Sequence, residues 1–152
     1  MIELKEKEKI RICGEEYIVL GGVFFHCYTE YHVVRISDQK KFWLELASRW
    51  ILWEEMEASV DITPFIVKVR ENADCLNFQC NGLTVKEQTI ALIERMFGDT
   101  QGSELSEVTH CLEGLINGTA RNFAVEIYDL GMDEEEVVYS EGTEVDVIFL
   151  GS

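Results

Sequence analysis

The chain has 152 residues, 47% of them hydrophobic and 28% charged, enough for one domain that buries a core without help from disulfides or metal. Thirteen Lys and Arg stand against 29 Asp and Glu, a formal net charge of −16. That surplus repels phosphate backbones and anionic membrane faces, which argues against a nucleic-acid partner, and it attracts a basic protein or peptide, a polyamine or a cation.

The opening MIELKEKEKIRI alternates charges at once and lacks the apolar central region of a signal peptide. YIVLGGVFFHCY (17–28) is too short and too interrupted to cross a bilayer, so a cytoplasmic protein without a transmembrane segment is expected. In RICGEEYIVLGGVFF, Tyr17, Val19 and Val23 suit a strand, with Gly21-Gly22 as a bend or bulge. EYHVVRI (30–36) is a β-branched strand that closes in the polar turn Ser37–Lys40.

All three tryptophans fall in FWLELASRWILWEE (42–55). Trp43, Leu46, Ala47, Trp50 and Trp53 recur at helical spacing, yet FWLEL and WILWEE also make a hairpin across Ala47-Ser48-Arg49. Periodicity leaves both open. FIVKVR (65–70) alternates as a half-buried strand does. TVKEQTIALIERMFG (84–98) fits a short helix with Ile90, Ile93 and Phe97 on one side, or a strand through Thr89–Ile93. AVEIYDL (124–130), EEVVYSEG (135–142) and EVDVIFL (144–150) read as strands. Six or seven short strands with frequent turns predict a mainly β single domain of antiparallel strands, a barrel or a sandwich, with room for one short helix.

Chemistry-bearing motifs are sparse. Cys75 and Cys80 are spaced C-x4-C, wider than the pairs that close a zinc site, and adjacent residues such as His26-Cys27 or His110-Cys111 point apart on a strand. The five cysteines, at 13, 27, 75, 80 and 111, are expected as reduced thiols, and neither metal nor cofactor is expected. DLGMDEEE (129–136) is rich in carboxylates but lacks the ligand pattern of a calcium loop. His26, His32 and His110 could serve as bases, but no motif singles out a nucleophile, so no catalytic residue is assigned and an enzyme is not expected.

A family resemblance runs along most of the chain. GEEYIVLGGV (14–23) supplies Gly14, Tyr17, Val19 and Gly21 in a Gly-x-x-Tyr-x-Val-x-Gly pattern. Tyr28, Glu30 and Tyr31 follow where a Trp-x-Glu-Tyr would stand, then Trp43-Leu44 and a second aromatic strand near Trp50. LTVKEQTIALIERMFGD (83–99) and the closing 122–150 segment, with Glu126 and Gly142, fit as well. In this order the motifs resemble the bacterial domain-of-unknown-function family 4178, from which the chain departs at Tyr28, where the family has Trp. The resemblance implies that the Trp stretch is a hairpin of two aromatic strands, 42–46 and 50–54.

The expected function is that of a non-enzymatic binding or adaptor module of a bacterial cytoplasm, with Trp43, Trp53, Glu30 and Tyr31 as candidate contacts for a ligand or partner. An acidic inhibitor or immunity-type protein that binds a basic partner is the alternative, and a small enzyme with its site among the carboxylates the third.

Overall fold

The computed structural model describes residues 3–102 and 108–151. Among them are eleven strands and one short helix: β1 (Lys9–Ile12), β2 (Glu15–Phe25), β3 (Thr29–Arg35), β4 (Lys41–Leu46), β5 (Trp50–Glu55), α1 (Thr63–Arg70), β6 (Gln79–Cys80), β7 (Leu83–Gly98), β8 (Val108–Ile116), β9 (Asn122–Tyr128), β10 (Glu136–Glu144) and β11 (Ile148–Gly151). The hydrogen-bonded order is β11-β1-β2-β3-β4-β5-β10-β9-β8-β7-β6, with a further β2–β7 pairing. Strands β2, β3, β4, β5, β10, β9, β8 and β7 thereby form a closed antiparallel ladder of eight, so of the two expected architectures the chain adopts the barrel.

The described residues divide into two compact units. The first takes residues up to Glu54, the run from Ile93 to Gly102 and the residues from Glu144; the second takes Glu55–Leu92 and 108–143.

In the first unit β4 and β5 form the expected hairpin, pairing Trp43 with Trp53, Leu44 with Leu52 and Leu46 with Trp50 across Ala47–Arg49. Alternation sends Phe42 and Leu44 into a core with Ile10, Tyr17, Val19 and Val33, and the rings of Tyr17 and Phe42 meet edge to face at 5.8 Å. Full burial of such a side chain is worth roughly 1.5–3 kcal/mol. The residues between Phe42 and Leu44 and beyond, Trp43 and Glu45, face the other way. Strand β2 carries a bulge one residue before the expected Gly21-Gly22: Val19 pairs with Val33 but Gly21 with His32, so Leu20 is the extra residue.

In the second unit the FIVKVR segment is helix, not the expected strand. Pro64 suits a first helical turn, and Asp61 Oδ1 accepts a hydrogen bond from the Thr63 N–H just ahead of it. Phe65 and Val69, four apart, are buried with Leu83, Val85, Leu112 and Phe123, so tertiary packing overrides the β-branched alternation. Residues 84–98, open in sequence, are strand throughout. The register of β7 slips between Val85 and Glu87 against β8, and again where Phe24 and Phe25 of β2 face Arg95 and Ile93. Each slip changes the parity that faces inward, but neither falls between Ile90 and Ile93, so these two point to opposite faces and their helix-like spacing marks no shared side. EVDVIFL is likewise two pieces: β10 ends at Glu144 and β11 begins at Ile148.

Candidate functional site

One face of β3, β4 and β5, within the first unit, gathers three of the four contact residues that the sequence offered, together with His32. Direct cross-strand partners share a face. Glu30 is paired with Glu45, His32 with Trp43, and Trp43 with Trp53. Trp53 is 4% exposed and its indole Nε1 donates to Glu45 Oε1 at 3.0 Å, while Glu45 is itself 5% exposed. A buried carboxylate needs such donors, because leaving one without partners costs several kcal/mol. Trp43 is half-buried, and the His32 ring stacks on it at 4.6 Å with the planes 27° apart.

Asp99, far away in sequence, completes this arrangement. Its Oδ2 lies 2.6 Å from His32 Nδ1. What brings it there is a close backbone approach of β2 to the end of β7, where Gly21 faces Gly98. A Cβ on Gly21 would stand 2.4 Å from Asp99 Oδ1 and 2.6 Å from the Phe97 carbonyl oxygen. Gly98, at φ +67°, occupies a backbone region that side chains disfavour, and a Cβ there would lie 2.3 Å from the Leu20 carbonyl oxygen. Asp99 N then donates to that Leu20 oxygen at 3.0 Å, and the Thr100 hydroxyl donates within reach of Gly22 O and Phe97 O. His32 is therefore held twice, by a stack and by a carboxylate.

Of the four contact residues expected from sequence, Trp43, Trp53 and Glu30 come together on this face. Tyr31 does not join them. It is 1% exposed in the core, its hydroxyl accepts the Leu4 N–H at 3.2 Å, and burial pushes its phenol up from the ordinary value. Glu45 was missed and His32 was named only as a possible base, although the β3–β4 register ties them to Glu30 and Trp43. Asp99 had no signal in the sequence.

The second unit holds a separate pocket of about 240 Å3. Val69, Leu76, Ile90 and Leu112 give it apolar walls, and Asn72, Thr89 and His110 add polar groups. Nearby, Gln88 accepts the Cys75 N–H at 3.0 Å and donates to Ala73 O at 3.3 Å, fixing the segment that leaves α1. Cys75 is buried, and that burial raises its thiol from the ordinary value, away from the reactive thiolate. Cys80 packs only partly buried against the same core. In the 129–136 run, Glu135 pairs with Arg70 and accepts the Gly131 N–H, so its oxygens close the turn. No helix is long and apolar enough to cross a membrane among the described residues. Comparison of the chain with family models, with curated proteins and with solved structures finds no match.

Proposed function

We propose that the chain is a binding module, without chemistry of its own, for a basic protein or peptide. The observation that supports this reading is the distribution of charge. Residues 55–92 and 106–143 contain 15 acidic and 4 basic side chains, a net −11, while the rest contain 14 and 9, a net −5. Two of the four bases, Arg70 and Arg121, are ion-paired with Glu135 and Glu141. Lys68 stands over the Phe78 ring at 4.6 Å. Four bases cannot neutralise 15 acids, so a field remains that accelerates encounter with a cationic partner and weakens with salt. Adaptor and inhibitor are two uses of this one property, and the resemblance to family 4178 belongs to the same reading.

The test is association with a lysine-rich peptide, beside a glutamate-rich peptide of equal length, across a range of ionic strength. Binding of the basic peptide alone, falling steeply with salt, is the expected result. Equal affinity for both, or none for either, would remove the reading.

A second reading follows from His32 and Asp99. A carboxylate on Nδ1 fixes the tautomer in which Nε2 accepts a proton, as in acid–base dyads. Hydrolysis of simple esters or amides by the protein, abolished in His32→Gln, would favour this enzyme over the binding module.

A further inference from the structure

The pocket of the second unit forms where the cover of the sheet runs out. Helix α1 lies over the buried core as far as Val69, and the following segment places Asn72 and Leu76 beside the sheet. On the sheet, Gln88 pairs with Leu112 and Ile90 with His110, so these four share the face that α1 covers further along. Leu76 and Ile90 are 51% and 53% exposed, an uncommon amount for two large apolar side chains lining one depression. A volume of about 240 Å3 falls below the roughly 300–1,000 Å3 of sites for drug-sized molecules. It suits one bulky side chain. Glu71 and Asp74, both exposed, occupy the segment that carries Asn72 and Leu76, while the neighbouring Lys68 stands over the Phe78 ring and Arg70 is paired with Glu135.

We propose that this pocket is the anchor point of the basic partner: one leucine- or phenylalanine-sized side chain inserts between Leu76 and Ile90, and flanking Lys or Arg side chains meet Glu71 and Asp74. The inference rests on the basic-partner reading and adds where and how that partner docks. An apolar anchor in a desolvated pocket, ringed by charges that steer the approach, is how few residues come to dominate an interface.

Two lysine-rich helical peptides identical except for a central Leu or Ala test it by titration calorimetry. The Leu peptide should bind about tenfold to thirtyfold more tightly, the range for one well-packed anchor. Leu76→Ser and Ile90→Ser should each bring the Leu peptide down toward the Ala peptide and leave the Ala peptide nearly unchanged. Both side chains are half exposed, so thermal melts of the two variants should match the parent. Equal binding of the two peptides, or a Leu preference that survives both variants, overturns the anchor while the salt-sensitive basic reading stands. Failure of both peptides to bind at any salt concentration takes the anchor and the basic-partner reading down together. A dimer by sedimentation that Ile90→Ser abolishes would mean that a second copy fills the pocket, and also overturns it.

Discussion

Close glycine approaches occur in both compact units, Gly114 against Thr84 in the second, but the two units build their candidate sites with different materials. The first brings backbones together: Gly21 and Gly98 let β2 and β7 approach closely, and the reward is an ordered polar group, His32 with Asp99, against Trp43. The second covers its strands with a helix of eight residues, which ends before the apolar face does and leaves a pocket. The first is only mildly acidic at −5, the second strongly so at −11. A tight glycine contact makes a site by precision, whereas a short helix makes one by omission, and the two should respond to mutation in opposite ways.

The largest effects should come from the buried aromatics. Phe65→Ala, in the second unit, should cost about 3–5 kcal/mol, because the ring is fully buried between Phe78 and Phe123. Trp53→Ala, in the first, should exceed it, since the buried Glu45 carboxylate also loses a donor, a further penalty of about 1–3 kcal/mol. Denaturant unfolding measures both, and equal losses would mean that the indole–carboxylate bond contributes nothing net.

Gly21→Ala should come next, at about 1–3 kcal/mol, the usual penalty for an overpacked site. Its particular signature is on His32, whose ring resonances should shift as Asp99 is displaced by the new methyl group. A variant that melts early but keeps the His32 spectrum would uncouple the glycine contact from the polar site. Trp43→Ala should cost less again, about 1–2 kcal/mol, because this ring is only half-buried and Phe42, on the opposite face, fills the core. Phe42→Ala is the control, and a larger loss for Trp43→Ala than for Phe42→Ala would reverse the assignment of the two faces.

The smallest effect is electrostatic. Arg35 donates to both carboxylate oxygens of Asp38 and holds its pKa down at about 2. A depressed carboxyl stabilises the fold above its unfolded value and loses that contribution as pH falls through its folded value, here between about 4 and about 2. Arg35→Gln should move the Asp38 midpoint back up, read by NMR titration of its carboxyl. In the second unit, Arg70 depresses Glu135 in the same direction, so Arg70→Gln is the matching measurement there.

How far the fold was legible depended on where the strands are regular. Periodicity left the β4–β5 segment open, and it could be read as a hairpin only through the family resemblance together with the break at Ser48-Arg49. β7 could not be read, since two slips in register break its alternation, and Ile90 and Ile93, at helix-like spacing, lie on opposite faces of the strand. At α1 the misleading signal was β-branched alternation in Ile66–Val69, and the better one, Pro64 at the helix start, was in plain sight. The site follows the same rule. Glu30 and Trp43 are tied to Glu45 and His32 by pairing between neighbouring strands, but neighbours in sequence such as Glu30 and Tyr31 point to opposite faces. Asp99 reaches His32 across 67 positions of sequence, through a glycine contact that no local pattern announces.

The pairing of distant segments also sets a timetable for folding. β2 needs the end of β7, with Gly21 opposite Gly98, and β1 needs β11, with Ile10 opposite Phe149. The N-terminal hairpins can form early as each emerges, but their ladder stays incomplete until those later strands have been made. Non-local pairing of this kind slows two-state folding toward milliseconds to seconds. Over that interval β1 and β2 are strands with open edges, and the charged residues that alternate along Lys5–Arg11 are well suited to keep such edges from pairing with other chains.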